Sequence, residues 1–257
     1  MRMGPKAGAA GFTLIELLVS LVIGSMLITS LFKLWQTNQS ETNRIQSKVD
    51  YRDRFTIATT AVNRSITMAG FGMSKMNVIV KATGSFTDTL TLYSNESERR
   101  TTLRDTALAG HSSMLVFKDS GFVEGCLIGI TDSLRHEYVR VSSMSGDSSA
   151  GFRLEFSPAL RYTYAAGVPN IYPVKREIFF IDGTEQALIK KVDDDRVVLA
   201  TGMKDFRIDL RDGSGLPATS CQSIRVVTFS LMGTYKAPAG TPNQMRFSST
   251  VIPRNIL

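Results

Sequence analysis

At 257 residues the chain exceeds the common single-domain length, and 43% of its residues are hydrophobic. Its formal charge of +7 combines 30 Lys and Arg with 23 Asp and Glu, which describes a mixed surface rather than a basic one. No block of like charges resembles a nucleic-acid arm, because Arg99-Arg100 follows Glu96 and Glu98, and Lys190-Lys191 precedes Asp193-Asp194-Asp195. Nucleic acid is not an expected partner.

The first eleven residues, Met1 to Gly11, are short, basic and rich in small side chains. Phe12 to Phe32 then form an apolar run whose only charge is Glu16. About 21 residues of helix span about 32 Å, enough to cross the hydrocarbon core of a bilayer. A carboxylate at the centre of a spanning helix costs roughly 2.5–3.5 kcal/mol, and less near an interface. Glu16 therefore calls for a partner of opposite charge. A secretory signal peptide carries its small-residue cleavage site after the apolar region. Here the small residues precede it. A cut after Gly11 would keep the apolar segment and create an α-amino group on Phe12, close to Glu16 in sequence.

Gly11 followed by Phe12-Thr13-Leu14-Ile15-Glu16 resembles the type III signal of type IV pilins and type II secretion pseudopilins. The resemblance implies that a prepilin peptidase removes residues 1–11 as a leader and N-methylates Phe12. It also implies that Glu16 pairs with the N-terminus of an adjacent subunit during filament assembly. Partners implied in the same way are other major and minor pilins, the inner-membrane assembly platform and the inner-membrane lipid. Arg2 and Lys6 favour a cytoplasmic N-terminus. Beyond the span, Lys33, Arg44, Lys48, Arg52 and Arg54 are mixed with Glu41, Asp50 and Asp53. The resemblance, not the charge bias, puts the rest of the chain outside the bacterial inner membrane. It implies a single-pass protein with a periplasmic head, later carried into a pilus or pseudopilus, its tip included.

No glycine occurs between Gly24 and Gly70, and no proline between Pro5 and Pro158. This predicts one helix from Phe12 to about Met68, about 85 Å long. Residues 12–69 are thus expected as the N-terminal helix, with the membrane segment at 12–32. In the outer half Ile45, Val49, Phe55, Ala58, Val62, Ile66 and Ala69 fall mostly three or four apart, giving one apolar stripe. The e/g charge pattern is too broken for a coiled coil.

After Gly70-Phe71-Gly72 the apolar period switches to two. Expected strands are Asn77–Lys81, Thr89–Tyr93, Met114–Lys118, Leu127–Thr131, Glu137–Ser142 and Phe152–Phe156, then Glu177–Ile181, Ala187–Lys191, Arg196–Ala200, Asp205–Leu210, Ile224–Leu231 and Met245–Ile252. Ser143–Ala150 and Asp212–Pro217 read as polar loops. The fold class is α+β: a long N-terminal α-helix, membrane-spanning then amphipathic, on a mostly antiparallel β head of residues 70–257. Roughly 190 residues suffice for one substantial core, in one lobe or two.

Met68-Ala69-Gly70-Phe71-Gly72, Thr89-Leu90-Thr91-Leu92, Gly202 to Leu210 and Val251-Ile252-Pro253-Arg254-Asn255 resemble, in that order, segments of PilW-type minor pilins. Pro253 departs from the apolar residue usual there. The head size favours a large minor pilin over a major pilin. The alternative within the resemblance is a large minor pseudopilin of type II secretion, similar to GspJ, whose N-terminus would look the same.

The chain offers little for catalysis. His111 and His136 are the only histidines and lack metal-ligand spacing. There is no phosphate-binding loop or dinucleotide fingerprint. Gly110-His111-Ser112 begins like a nucleophile elbow, but Met114 replaces the second glycine. Asp193-Asp194-Asp195 could offer oxygens to calcium but lacks the glycine and downstream glutamate of a calcium loop, and reads as a turn. Asp212-Gly213-Ser214-Gly215 reads as a loop in the same way. No enzyme, metal or cofactor is expected. A tip adhesin or DNA-binding head is a further reading, and it needs an exposed aromatic or basic patch. Cys126 and Cys221 either pair, closing a loop of about 95 residues worth roughly 4–5 kcal/mol, or are two small buried apolar side chains. Spacing does not decide between them.

Overall fold

The computed structural model describes residues 13–73, 78–84, 87–117, 121–147, 150–236 and 242–255. Two compact units divide the chain, the first containing the helix as far as Asp50 and the second beginning at Tyr51.

Helix α1 runs from Leu14 to Met68, 55 residues without interruption. Its hydroxyls are folded back into the helix. Ser20, Thr29 and Ser30 donate to carbonyls four residues earlier at 2.7–2.8 Å, and Ser25 donates to Val22 O at 2.8 Å. An apolar surrounding offers these groups no other partner, so internal bonding is what lets them sit in the apolar half. The helix ends where Gly70 takes φ +79°, a conformation glycine adopts without a Cβ penalty. Its N–H is held by Tyr93 O at 2.9 Å, and a Cβ there would lie 2.9 Å from Asn255 O. Asn255 Nδ2 in turn donates to Thr67 O, so the chain's last described residue closes the helix end.

The second unit buries one face of α1 through Tyr51, Phe55, Ala58, Val62, Ile66 and Ala69. The expected stripe holds from Phe55 onward. Ile45 and Val49 instead remain exposed, and Tyr51 is the first residue of the buried face. Tyr51 is held there by its hydroxyl, which donates to Gly202 O at 3.1 Å. A Cβ at Gly233 would overlap that hydroxyl, so the strand can pass under the ring only with glycine at this position.

Among the described residues thirteen strands follow: β1 Ile79–Thr83, β2 Asp88–Ser94, β3 Thr101–Thr102, β4 Ser113–Val116, β5 Leu127–Thr131, β6 His136–Asp147, β7 Gly151–Ser157, β8 Asn170–Asp182, β9 Ala187–Val192, β10 Asp195–Thr201, β11 Met203–Arg211, β12 Val226–Lys236 and β13 Pro242–Val251. Ten of them form one sheet in the order β1-β2-β8-β5-β6-β7-β4, with β3 and β9 also on β8 and β10 on β9. The other sheet is β11-β12-β13. Each expected strand has a counterpart, although Asn77 and Lys118 lie outside the described residues. Ser143–Asp147 is not loop but the end of β6, paired with β7 down to Asp147↔Gly151. Polar side chains at a hairpin tip look like loop in sequence because neither face there is buried.

Strand β8, at 13 residues, is more than twice the expected length. Its second half pairs with β2 and β9, and its first half with β5 and β3. Pro173 hid the first half, since proline lacks the N–H a central strand needs. Here Pro173 falls between the β3 and β2 stretches on one flank, where no neighbour asks for that N–H. Two apolar clusters result. One holds α1, Leu90, Phe179, Phe206 and Phe229, and the other holds Leu103, Ile128, Leu154 and Ile171.

Candidate functional site

The site begins at Thr13, the N-cap of α1. Its backbone N–H and its hydroxyl both donate to Glu16 Oε2 at 3.2 Å, and Glu16 N–H donates to Thr13 Oγ1 at 3.3 Å. This reciprocal pair is a capping box, in which the Ser/Thr-x-x-Glu spacing satisfies two orphan donors of the first turn. The signal stood in the sequence as Thr13-Leu14-Ile15-Glu16, yet a reading of Glu16 by charge alone passes over it. The carboxylate thus has a neutral partner within its own chain and, among the described residues, no cationic one. Gly11 and Phe12 lie outside the described residues.

Beyond the cap, Leu14, Ile15, Leu21, Ile28 and Leu31 are each more than 60% exposed. Each such side chain gains roughly 1.5–3 kcal/mol if taken out of water. An apolar surface of this extent marks a lipid or protein contact. The helix is long and apolar enough to cross a membrane, with a mean hydropathy of 2.2 over its best window. Phe32 and Trp35 meet at 5.8 Å where the run ends, the kind of aromatic pair that settles at a membrane–water boundary.

The remaining sequence candidates have structural roles. Asp193 and Asp194 make the tight turn between β9 and β10, with Asp193 at φ +50°. Asp194 pairs with Arg140 at 3.3 Å and Lys191 at 3.4 Å, while Asp193 accepts the Arg176 N–H. Among the described residues no three His, Cys, Asp or Glu gather to hold a metal ion. Asp212 accepts from Ser214 and Leu216 N–H groups and the Ser214 hydroxyl, and these bonds hold its carboxyl below the usual range. His111 precedes β4 in a loop, and His136 pairs with Thr131 at the β5–β6 turn.

Cys126 and Cys221 are both free thiols, so the bridge that spacing left open is not formed. The Cys221 thiol sits between the Ile79 N–H and carbonyl at 3.3 and 3.2 Å, packed on the helix-side cluster. Cys126 packs on the other cluster. Burial pushes both thiols up from their ordinary range, which favours the unreactive protonated form.

Residues 6–32 match the family model of the prokaryotic N-terminal methylation motif. The match supports a type IV pilin or pseudopilin signal over that segment. No curated protein matches the chain.

Proposed function

We propose that the chain is a minor pilin of the PilW type that primes a type IV pilus or is built into one. Its leader would be residues 1–11, its span 12–32 in the inner membrane, and its β head periplasmic before assembly. The observation that carries this reading is Glu16: a carboxylate fixed at the first turn of an exposed apolar helix, with no cation against it among the described residues. Cleavage after Gly11 supplies the missing charge, because the Phe12 amine of a neighbouring copy can neutralise Glu16 in lipid. Assembly then removes a cost that the single subunit bears. A head with two sheets and thirteen strands among its described residues supports a large minor subunit rather than a major one.

Deleting the coding region and scoring surface pili and protein secretion together tests the assignment. Loss of pili with secretion intact is the expected result. Loss of secretion with pili intact would make the chain a type II secretion pseudopilin instead.

A further inference from the structure

A cavity of about 430 Å³ opens on the sheet where β2, β8, β5 and β6 lie side by side. Tyr93 and Tyr138 stack within its lining, centroids 4.3 Å apart and planes 14° from parallel. Cross-strand register sets Arg176 opposite Tyr93, and Arg140 opposite Leu127, so two guanidiniums from different strands reach one hollow.

The charges there are poorly compensated. Among the described residues no carboxylate is within ion-pair distance of Arg176, and its Nε is shut off from solvent without a hydrogen-bond partner. The nearby Asp193 carboxylate accepts the Arg176 backbone N–H through Oδ1 at 3.3 Å and makes no ion pair with its guanidinium among the described residues. Among the described residues Arg140 engages Gly125 O and Asp194, both through Nη1. The Asp194 carboxylate is 72% exposed, so that pair is a weak surface contact. The Ser142 and Ser157 hydroxyls add further donors to the lining. A half-buried guanidinium without a counterion is costly, and a bound oxyanion removes the cost by accepting from it in a forked, charge-assisted pair.

The rest of the lining is apolar, with Leu127, Val141 and Pro158 beside the tyrosine pair. A hollow of this volume is in the size range of small-molecule sites and is larger than a bare ion requires. We propose that this cavity binds an acidic sugar, its carboxylate on Arg140 and Arg176 and its ring against the tyrosine and proline surface. The lining residues come from five separate stretches of chain, which is why no sequence motif announces them.

Titration calorimetry of the full-length protein in detergent, with D-glucuronate, D-glucose and inorganic phosphate as probes, tests the assignment. Glucuronate is expected to bind at least about tenfold more tightly than either of the others. Arg176→Gln and Arg140→Gln should each weaken it by about tenfold, the loss expected for one charge-assisted contact. Arg140 has an ion pair only with the exposed Asp194 carboxylate, and its variant serves as the test if Arg176→Gln does not fold. No glucuronate binding, glucose or phosphate binding as tightly, or unchanged glucuronate affinity in Arg140→Gln would each overturn the proposal.

Discussion

Asp88 Oδ2 accepts the Ile208 N–H at 2.8 Å, a buried bond between β2 of the large sheet and β11 of the small one. Lys81 Nζ lies 3.2 Å from the same oxygen and also donates to Ile208 O, so the carboxylate, the ammonium and the backbone N–H and carbonyl of one residue form a closed set. The Asp88 side chain is 2% exposed, and Arg207 approaches its other oxygen only to 3.9 Å. Removing one member of a buried pair strands the rest, at a typical cost of about 3–5 kcal/mol. Asp88→Ala should therefore lower stability by that order. Asp88→Asn, which keeps an acceptor for Ile208, should lose less. Denaturant unfolding of the full-length protein in detergent measures both, and equal losses would show that the acceptor is immaterial.

A second buried carboxylate ties the helix to the sheet. Lys190 Nζ lies 2.8 Å from Glu177 Oε1 and 3.3 Å from Ser65 Oγ on α1, with Lys175 3.3 Å from the same carboxylate oxygen. Burial alone would raise the Glu177 pKa, but bonds from Lys190 and Ser65 and the two lysine charges hold it below its ordinary 4.5. A carboxylate depressed in the folded state stabilises above its unfolded pKa and loses that contribution as pH falls through the folded one. The denaturant midpoint should fall as the pH drops below about 4.5. Glu177→Gln should have a lower midpoint at neutral pH and a shallower acid limb. An acid limb identical to that of the unmodified protein would remove Glu177 from the account.

Phe55 is fully buried, stacked on Phe247 at 4.4 Å and met edge-on by Tyr51 at 5.0 Å. Truncating a packed ring leaves a cavity, so Phe55→Ala should cost about 3–5 kcal/mol. Ile57, two residues on and 59% exposed, should change stability by no more than about 0.5 kcal/mol when replaced by alanine. Comparable losses at the two positions would contradict the assigned buried face.

Much of this was legible in the sequence, and the failures have physical causes. The helix followed from missing breakers, and its buried face from period, down to Phe55, Ala58, Val62 and Ile66. Ile45 and Val49 continue the same period and are exposed, because periodicity reports what a helix can bury and not what it does bury. Pro173 concealed half of β8, since its tolerance depends on which neighbours flank it. At the N-terminal site Glu16 was visible as an anomaly, and its Thr13 partner only as a spacing. The tyrosine–arginine cavity could not be read at all, because pairing between distant strands assembles it.

Processing gives a direct expectation for Gly11. If cleavage follows it, replacing Gly11 with a bulky residue such as leucine should block removal of residues 1–11. Intact-mass spectrometry of the membrane fraction would then find the full-length chain in the variant and a shortened, N-methylated chain otherwise. The same mature mass in both would contradict the cleavage site.

The central claim is that Glu16 is an assembly contact, and the Glu16→Ala variant tests it most directly. Mature mass and membrane insertion are measured alongside the amount of the subunit in sheared pili. The account predicts a variant that inserts and is processed normally yet is absent from the filament. A processed Glu16→Ala subunit incorporated at the normal level would contradict it.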